Sequence, residues 1–116
     1  MKINSENQKA IYLKRKVNLF VSTINELSKR LNGDIYNMQS MLRQCVQDVP
    51  NLLEEGLKSG KTISKLRNFV IAKESLEQCK KYLGMLKSMR KVSTQDLIRQ
   101  VEEINRLIEN QIKHKE

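Results

Sequence analysis

Apolar residues recur at alternating three- and four-residue spacings through four stretches of this 116-residue chain, the pattern of helices that each bury one stripe. In the first stretch the stripe is Ala10, Leu13, Val17, Phe20, Ile24, Leu27 and Leu31, and Ser5 with Gln8 offers a capping box at its start. Asn32-Gly33-Asp34 then breaks the helix, Gly33 being able to take the left-handed conformation of a C-cap. The second stripe runs through Ile35, Met38, Leu42, Cys45, Val49, Leu52 and Gly56. Pro50 interrupts it, removing one backbone hydrogen bond and crowding the carbonyl of Val46 at a cost of ~3 kcal/mol in a helix interior. Because the periodicity continues beyond Pro50, a kink or bulge is expected there. Gly56 leaves the stripe without a side chain, which predicts close approach of another helix.

The third stripe is Leu66, Phe69, Ala72, Leu76, Cys79, Leu83 and Leu86, after a break at Ser59-Gly60. The fourth is Leu97, Val101, Ile104 and Ile108, opened by Ser93 as N-cap, Asp96 in the first turn and Val92 stapled onto Leu97. Helices are therefore expected over 5–31, 35–58, 62–90 and 94–113, in one domain spanning 1–116. Short connections between them give an all-α, up-down-up-down antiparallel bundle with the first and third helices diagonal. Leu19, Val21, Val46, Leu53, Val70 and Leu107 lie off the stripes. They fit either a subunit interface or a broad apolar face in a monomer.

Composition agrees with this class: 4% aromatic residues and no Trp argue against a β-sandwich or a base-stacking sheet. The stretch from Met1 to Gln8 has no apolar core of signal-peptide length, and the longest apolar run, Phe69-Val70-Ile71-Ala72, is far too short to span a membrane. A cytoplasmic protein without a membrane segment is the expectation. Cys45 and Cys79 stand far apart, without neighbours at metal-ligand spacing, and read as small buried hydrophobes.

Charge changes the picture. Ten of the twenty-two Lys and Arg residues lie between Lys58 and Lys91 against only Glu74 and Glu77, so the third helix carries almost all of the formal +9. A one-signed helix attracts polyanions at long range and gains affinity by releasing counterions. The expected phosphate-facing cations are Lys58, Lys61, Lys65, Arg67, Lys73, Lys80, Lys81, Lys87, Arg90 and Lys91, with Lys14, Arg15 and Lys16 as a second cluster. Tyr12, Tyr36 and Tyr82 fall on different helices, so backbone recognition is favoured over base stacking. The acidic-leaning second and fourth helices flank the basic ones, so a scaffold that uses the same charge against protein surfaces stays open as an alternative.

Catalytic chemistry finds no support. Gly56-Leu57-Lys58-Ser59-Gly60-Lys61-Thr62 resembles a phosphate-binding loop, but it is one residue short between its glycines and follows a helix rather than a strand. His114 is the single histidine, and Glu54 and Glu55, adjacent on a helix, diverge by about 100°. No enzyme, cofactor or metal site is expected.

Arg43-Gln44-Cys45-Val46-Gln47-Asp48-Val49-Pro50-Asn51-Leu52-Leu53-Glu54-Glu55-Gly56, in which a basic residue precedes an apolar-Pro step and then Glu-Gly, resembles the second helix of the four-helix bundle proteins related to the 23S rRNA intervening-sequence protein. Ile71-Ala72-Lys73-Glu74-Ser75-Leu76 is similar to their third helix and Glu103-Ile104-Asn105-Arg106-Leu107-Ile108 to their fourth, so that the likeness spans roughly residues 17–113. The superfamily includes Avd, the accessory variability proteins of diversity-generating retroelements. The resemblance implies a non-enzymatic bundle that assembles as a ring, typically a homopentamer. In the Avd branch it also implies binding of structured RNA, or an RNA–DNA hybrid, and of a reverse transcriptase. Lys16-Val17-Asn18-Leu19-Phe20 replaces the Trp-Gln-Lys type motif of the intervening-sequence branch, which together with the charge leans toward Avd. The Pro50 and Gly56 signature leans back.

Overall fold

The computed structural model describes residues 5–31, 37–58, 62–89 and 93–113. They form α1 (Ser5–Lys29), α2 (Met38–Gln47), α3 (Val49–Lys58), α4 (Thr62–Ser88) and α5 (Gln95–Lys113), with no strand among them. Helices α2 and α3 are the two halves of the expected second helix, separated at Asp48. The break lies where Pro50 cannot donate to the Val46 carbonyl, and the next turn resumes with the Leu52 amide donating to the carbonyl of Asp48 at 2.9 Å. Asn37, in the left-handed conformation at φ 56°, precedes α2, so that helix starts at Met38 rather than Ile35. Ile35, the Asn32-Gly33-Asp34 break, Ser59-Gly60, Val92 and His114 lie outside the described residues, as does the Ser5 side chain of the expected capping box.

The first and last stripes are buried largely as the repeat requires: Leu13 through Leu27 on α1 with Leu31 just beyond its end, and Leu97, Val101, Ile104 and Ile108 on α5, whereas Ala10 is only half-buried. On α2 and α3 the stripe keeps Met38, Leu42, Val49 and Gly56 but shifts by one position at two places. Val46 and Leu53 are fully buried, and Cys45 and Leu52 are only half-buried. Positions 45 and 46, like 52 and 53, are all apolar, so the spacing alone admits either register. Of the six residues that fitted either a subunit interface or a broad apolar face, Val46 and Leu53 are therefore core, Val21 and Leu107 are half-buried against it, and Leu19 and Val70 remain on the surface. Helix α1 packs on α2, α3 and α5, and α4 packs on the same three, with no packing between α1 and α4 among the described residues. The basic helices are thus diagonal, as expected.

Helix α5 begins one residue later than its expected start at 94, and Thr94 rather than Ser93 precedes it. The buried Thr94 hydroxyl donates to the Leu83 carbonyl on α4 at 2.8 Å, which ties the start of α5 to its neighbour. Gly56 does what its position on the stripe predicts. A Cβ built there would lie 2.7 Å from the Phe69 ring, which is itself fully buried and so has no room to yield. The missing side chain lets α3 and α4 approach closely. Gly84, in the interior of α4, is different: a Cβ there would meet nothing within 4 Å.

These two glycines predict opposite outcomes for one substitution. Gly56→Ala should lower stability by about 1–2 kcal/mol, because overpacking outweighs the gain in helix propensity. Gly84→Ala should raise it by about 0.5–1 kcal/mol. Urea denaturation followed by circular dichroism compares both with the parent; a stabilised Gly56→Ala would contradict the close approach.

Candidate nucleic-acid interface

The expected phosphate-facing residues separate into four groups once the helices are packed. Lys65 is buried at 3% exposure, with its Nζ 5.5 Å from the centroid of the Phe69 ring, and so cannot face a phosphate. It takes the inward position expected of Leu66, which is half-buried instead. The long aliphatic stem of a lysine allows such burial.

A second group lines the seam between α4 and α5. Lys73 pairs with Glu109, Lys80 Nζ lies 3.4 Å from Glu102 Oε2, and Lys87 Nζ donates to Gln95 Oε1 at 2.6 Å. Asn105 Nδ2 donates to Glu77 Oε1 at 3.1 Å between the first two pairs. The cations step along α4 by seven residues, and their acceptors step back along α5 by seven, so the two helices run in opposite directions at this seam. This ladder is the feature that the charge count missed. The signal was the matching series 73, 80, 87 and 95, 102, 109.

On α1, the second cluster is divided in the same way. Lys16 Nζ lies 3.0 Å from Glu103 Oε1 and 5.5 Å from the Tyr12 ring centroid, while the Tyr12 hydroxyl donates to the same Glu103 oxygen at 3.3 Å. Lys14 Nζ lies 3.7 Å from Glu54 Oε1 on α3. Tyr12 is therefore held in an α1–α5 contact rather than offered as a stacking platform.

Arg15, Lys58, Arg67 and Lys81 remain as exposed cations with no ion pair among the described residues. Exposed Arg30 and Arg43 belong with them, although they lie outside the dense basic run. Lys61, Arg90 and Lys91 lie outside the described residues. The outer face of α4 is not uniformly basic, since Ile63, Val70, Ile71 and Met85 are exposed beside Arg67, Glu74 and Lys81. Gly56 on α3 meets Phe69 on α4 two residues from Lys58 and Arg67 respectively, and Lys81 stands about 21 Å along α4 from Arg67.

The chain has the fold of an S23-family protein. It superposes with a TM-score of 0.82 on the crystal structure of a protein of unknown function from the S23 ribosomal protein family of Bacteroides thetaiotaomicron VPI-5482. The match covers 90% of this chain and 98% of that one at 18% identity, which establishes a shared all-helical bundle. No protein-family model matches the chain, and no curated protein does. The shared fold supports the bundle and does not single out an Avd-like chain.

Gly56, Leu57 and Lys58 of the loop-like motif belong to α3, Gly56 packing on Phe69, while Ser59, Gly60 and Lys61 lie outside the described residues. Among the described residues no group of three or more His, Cys, Asp or Glu side chains is placed to hold a metal ion, and no helix is long and apolar enough to cross a membrane. Cys79 is fully buried, and burial pushes its thiol up to about 12; Cys45 is half-buried and raised for the same reason.

The Lys16–Glu103 contact has a testable pH signature. Its hydrogen bond with Lys16 holds the Glu103 carboxyl below the ordinary 4.5, and the same bond raises Lys16 above 10.5. A depressed carboxyl contributes stability that is present at neutral pH and is lost as pH falls through its folded value; the raised Lys16 loses its contribution as pH rises above 10.5. Glu103→Gln should therefore melt below the parent at pH 7, and the gap should narrow at a pH well below 4.5. A gap of equal size at both pH values would contradict the pairing.

Proposed function

We propose that this protein is a non-catalytic adaptor: an up-down-up-down bundle that assembles as a ring and binds structured RNA, or an RNA–DNA hybrid, along the phosphate backbone. The partner class is that of the Avd branch, with a reverse transcriptase as protein partner and cytoplasmic action. The observation that carries the reading is the set of exposed cations left without ion pairs, Lys58, Arg67 and Lys81 on α3 and α4, in a chain of net charge +9. Pairing inside the bundle neutralises Lys73 and Lys80 locally but leaves the excess charge unaltered. Contacts of this kind position a phosphate backbone without reading its sequence. A ring repeats a modest patch on every subunit, and avidity then multiplies weak contacts.

A protein–protein scaffold is the second reading. It is favoured by the exposed apolar residues Ile63, Val70 and Met85 interleaved with the cations of α4. The S23-family structure itself is of a protein of unknown function and favours neither.

Binding to a structured RNA hairpin, measured by fluorescence anisotropy across a salt series, separates the two. The parent should lose log affinity linearly with log salt. Reversal of Lys58, Arg67 and Lys81 to Glu should weaken binding at least about tenfold at low salt and make the slope shallower by about two to three. A parent protein that leaves the RNA unbound at low salt would overturn the adaptor reading in favour of the scaffold.

A further inference from the structure

Among the described carboxylates, only those of Asp48, Glu55 and Glu74 have no hydrogen-bond or ion-pair partner. Two of the three belong to one place. Asp48 and Glu55 line a groove between α3 and α4, completed by Asn51, Leu52, Ile71 and Ser75. Its apolar lining is open to solvent, since Ile71 is 41% exposed and Leu52 half-buried. An acidic rim around an apolar strip fits a surface with apolar knobs and a basic group between them.

Helix α1 carries such a surface. Ile11 and Leu19 are 54% and 63% exposed, and Arg15, midway between them, is exposed and unpaired. The four-residue spacing makes them one ridge, on the side of α1 away from the buried Leu13, Val17 and Phe20. The ridge is about 12 Å long, and the groove from Asp48 to Glu55 about 10 Å, so the two match in length. They do not meet within one molecule, since Ile11, Arg15 and Leu19 are exposed on the side of α1 turned away from the bundle.

We propose that the α1 ridge of one copy seats in the α3–α4 groove of the next, Ile11 and Leu19 covering Leu52 and Ile71, with Arg15 lying between Asp48 and Glu55. The proposal rests on the assembly part of the adaptor reading and supplies its contact surface. Two different faces of the chain meet, so the contact is heterologous. Repetition closes into a ring or continues as a filament rather than stopping at a two-fold dimer. Charge complementarity sets the register, and the apolar residues supply the burial.

Light scattering of the purified full chain, with circular dichroism as a check on folding, tests this. The parent should show a mass that is three or more times the 13.6 kDa of one chain. Arg15→Glu should fall toward one chain at the same concentration with its helix content unchanged. Combining Arg15→Glu with Asp48→Lys and Glu55→Lys should restore the parent's mass. An assembled parent whose mass is unchanged by Arg15→Glu overturns the contact, leaving the groove to another partner and the assembly and RNA readings intact. A parent that stays at one chain overturns both the contact and the ring.

Discussion

Helix α4 has to satisfy three neighbours at once, and most of the molecule follows from that constraint. Its stripe from Phe69 to Leu86 is buried against the core, α3 closes on one flank through Gly56, and α5 closes on the other. With the apolar positions fixed by the repeat, the lysines must sit on the flanks and the outer face. Those that sit seven apart on one flank meet carboxylates and an amide that sit seven apart on the adjoining helix. The dense basic run is thereby divided between an internal seam and a smaller set of free cations.

That division decides what kind of surface the protein presents. Each exposed ion pair contributes only a few tenths to about 1 kcal/mol, so the seam aligns α4 with α5 more than it stabilises the fold. Most of the stability comes from the continuous buried cluster of Leu, Ile, Val and Phe side chains on all five helices. What the seam does is remove Lys73 and Lys80 from the outward-facing charge. The cations that remain are dispersed among apolar residues, a mixture suited to weak, repeated contacts rather than one deep binding site.

Much of the fold was legible because the seven-residue repeat is a strong signal: helix number, the weakness at Pro50, the close approach at Gly56 and the diagonal placement of the basic helices all followed from it. The register of α2 was not, since adjacent apolar pairs at 45–46 and 52–53 satisfy the same spacing and only packing against α4 and α1 chooses between them. Legibility was poorer for the candidate site. Lys65 was counted as surface because a lysine is charged, yet its stem is buried and its ammonium lies near Phe69. Lys73 and Lys80 were counted as free because net charge says nothing of which helix stands opposite. A charge count identifies attraction at long range; pairing depends on tertiary alignment.

Lys73, Lys80 and Lys87 of α4 are held by α5 rather than offered to a ligand, and a double-mutant cycle tests this most directly. Lys80→Gln, Glu102→Gln and the double variant, denatured with urea at low salt to limit screening, give the coupling between the two side chains. A coupling of about 0.3–1 kcal/mol that shrinks with added salt is the predicted result. Additive single effects, with no coupling at low salt, would contradict the seam and return Lys80 to the free basic face.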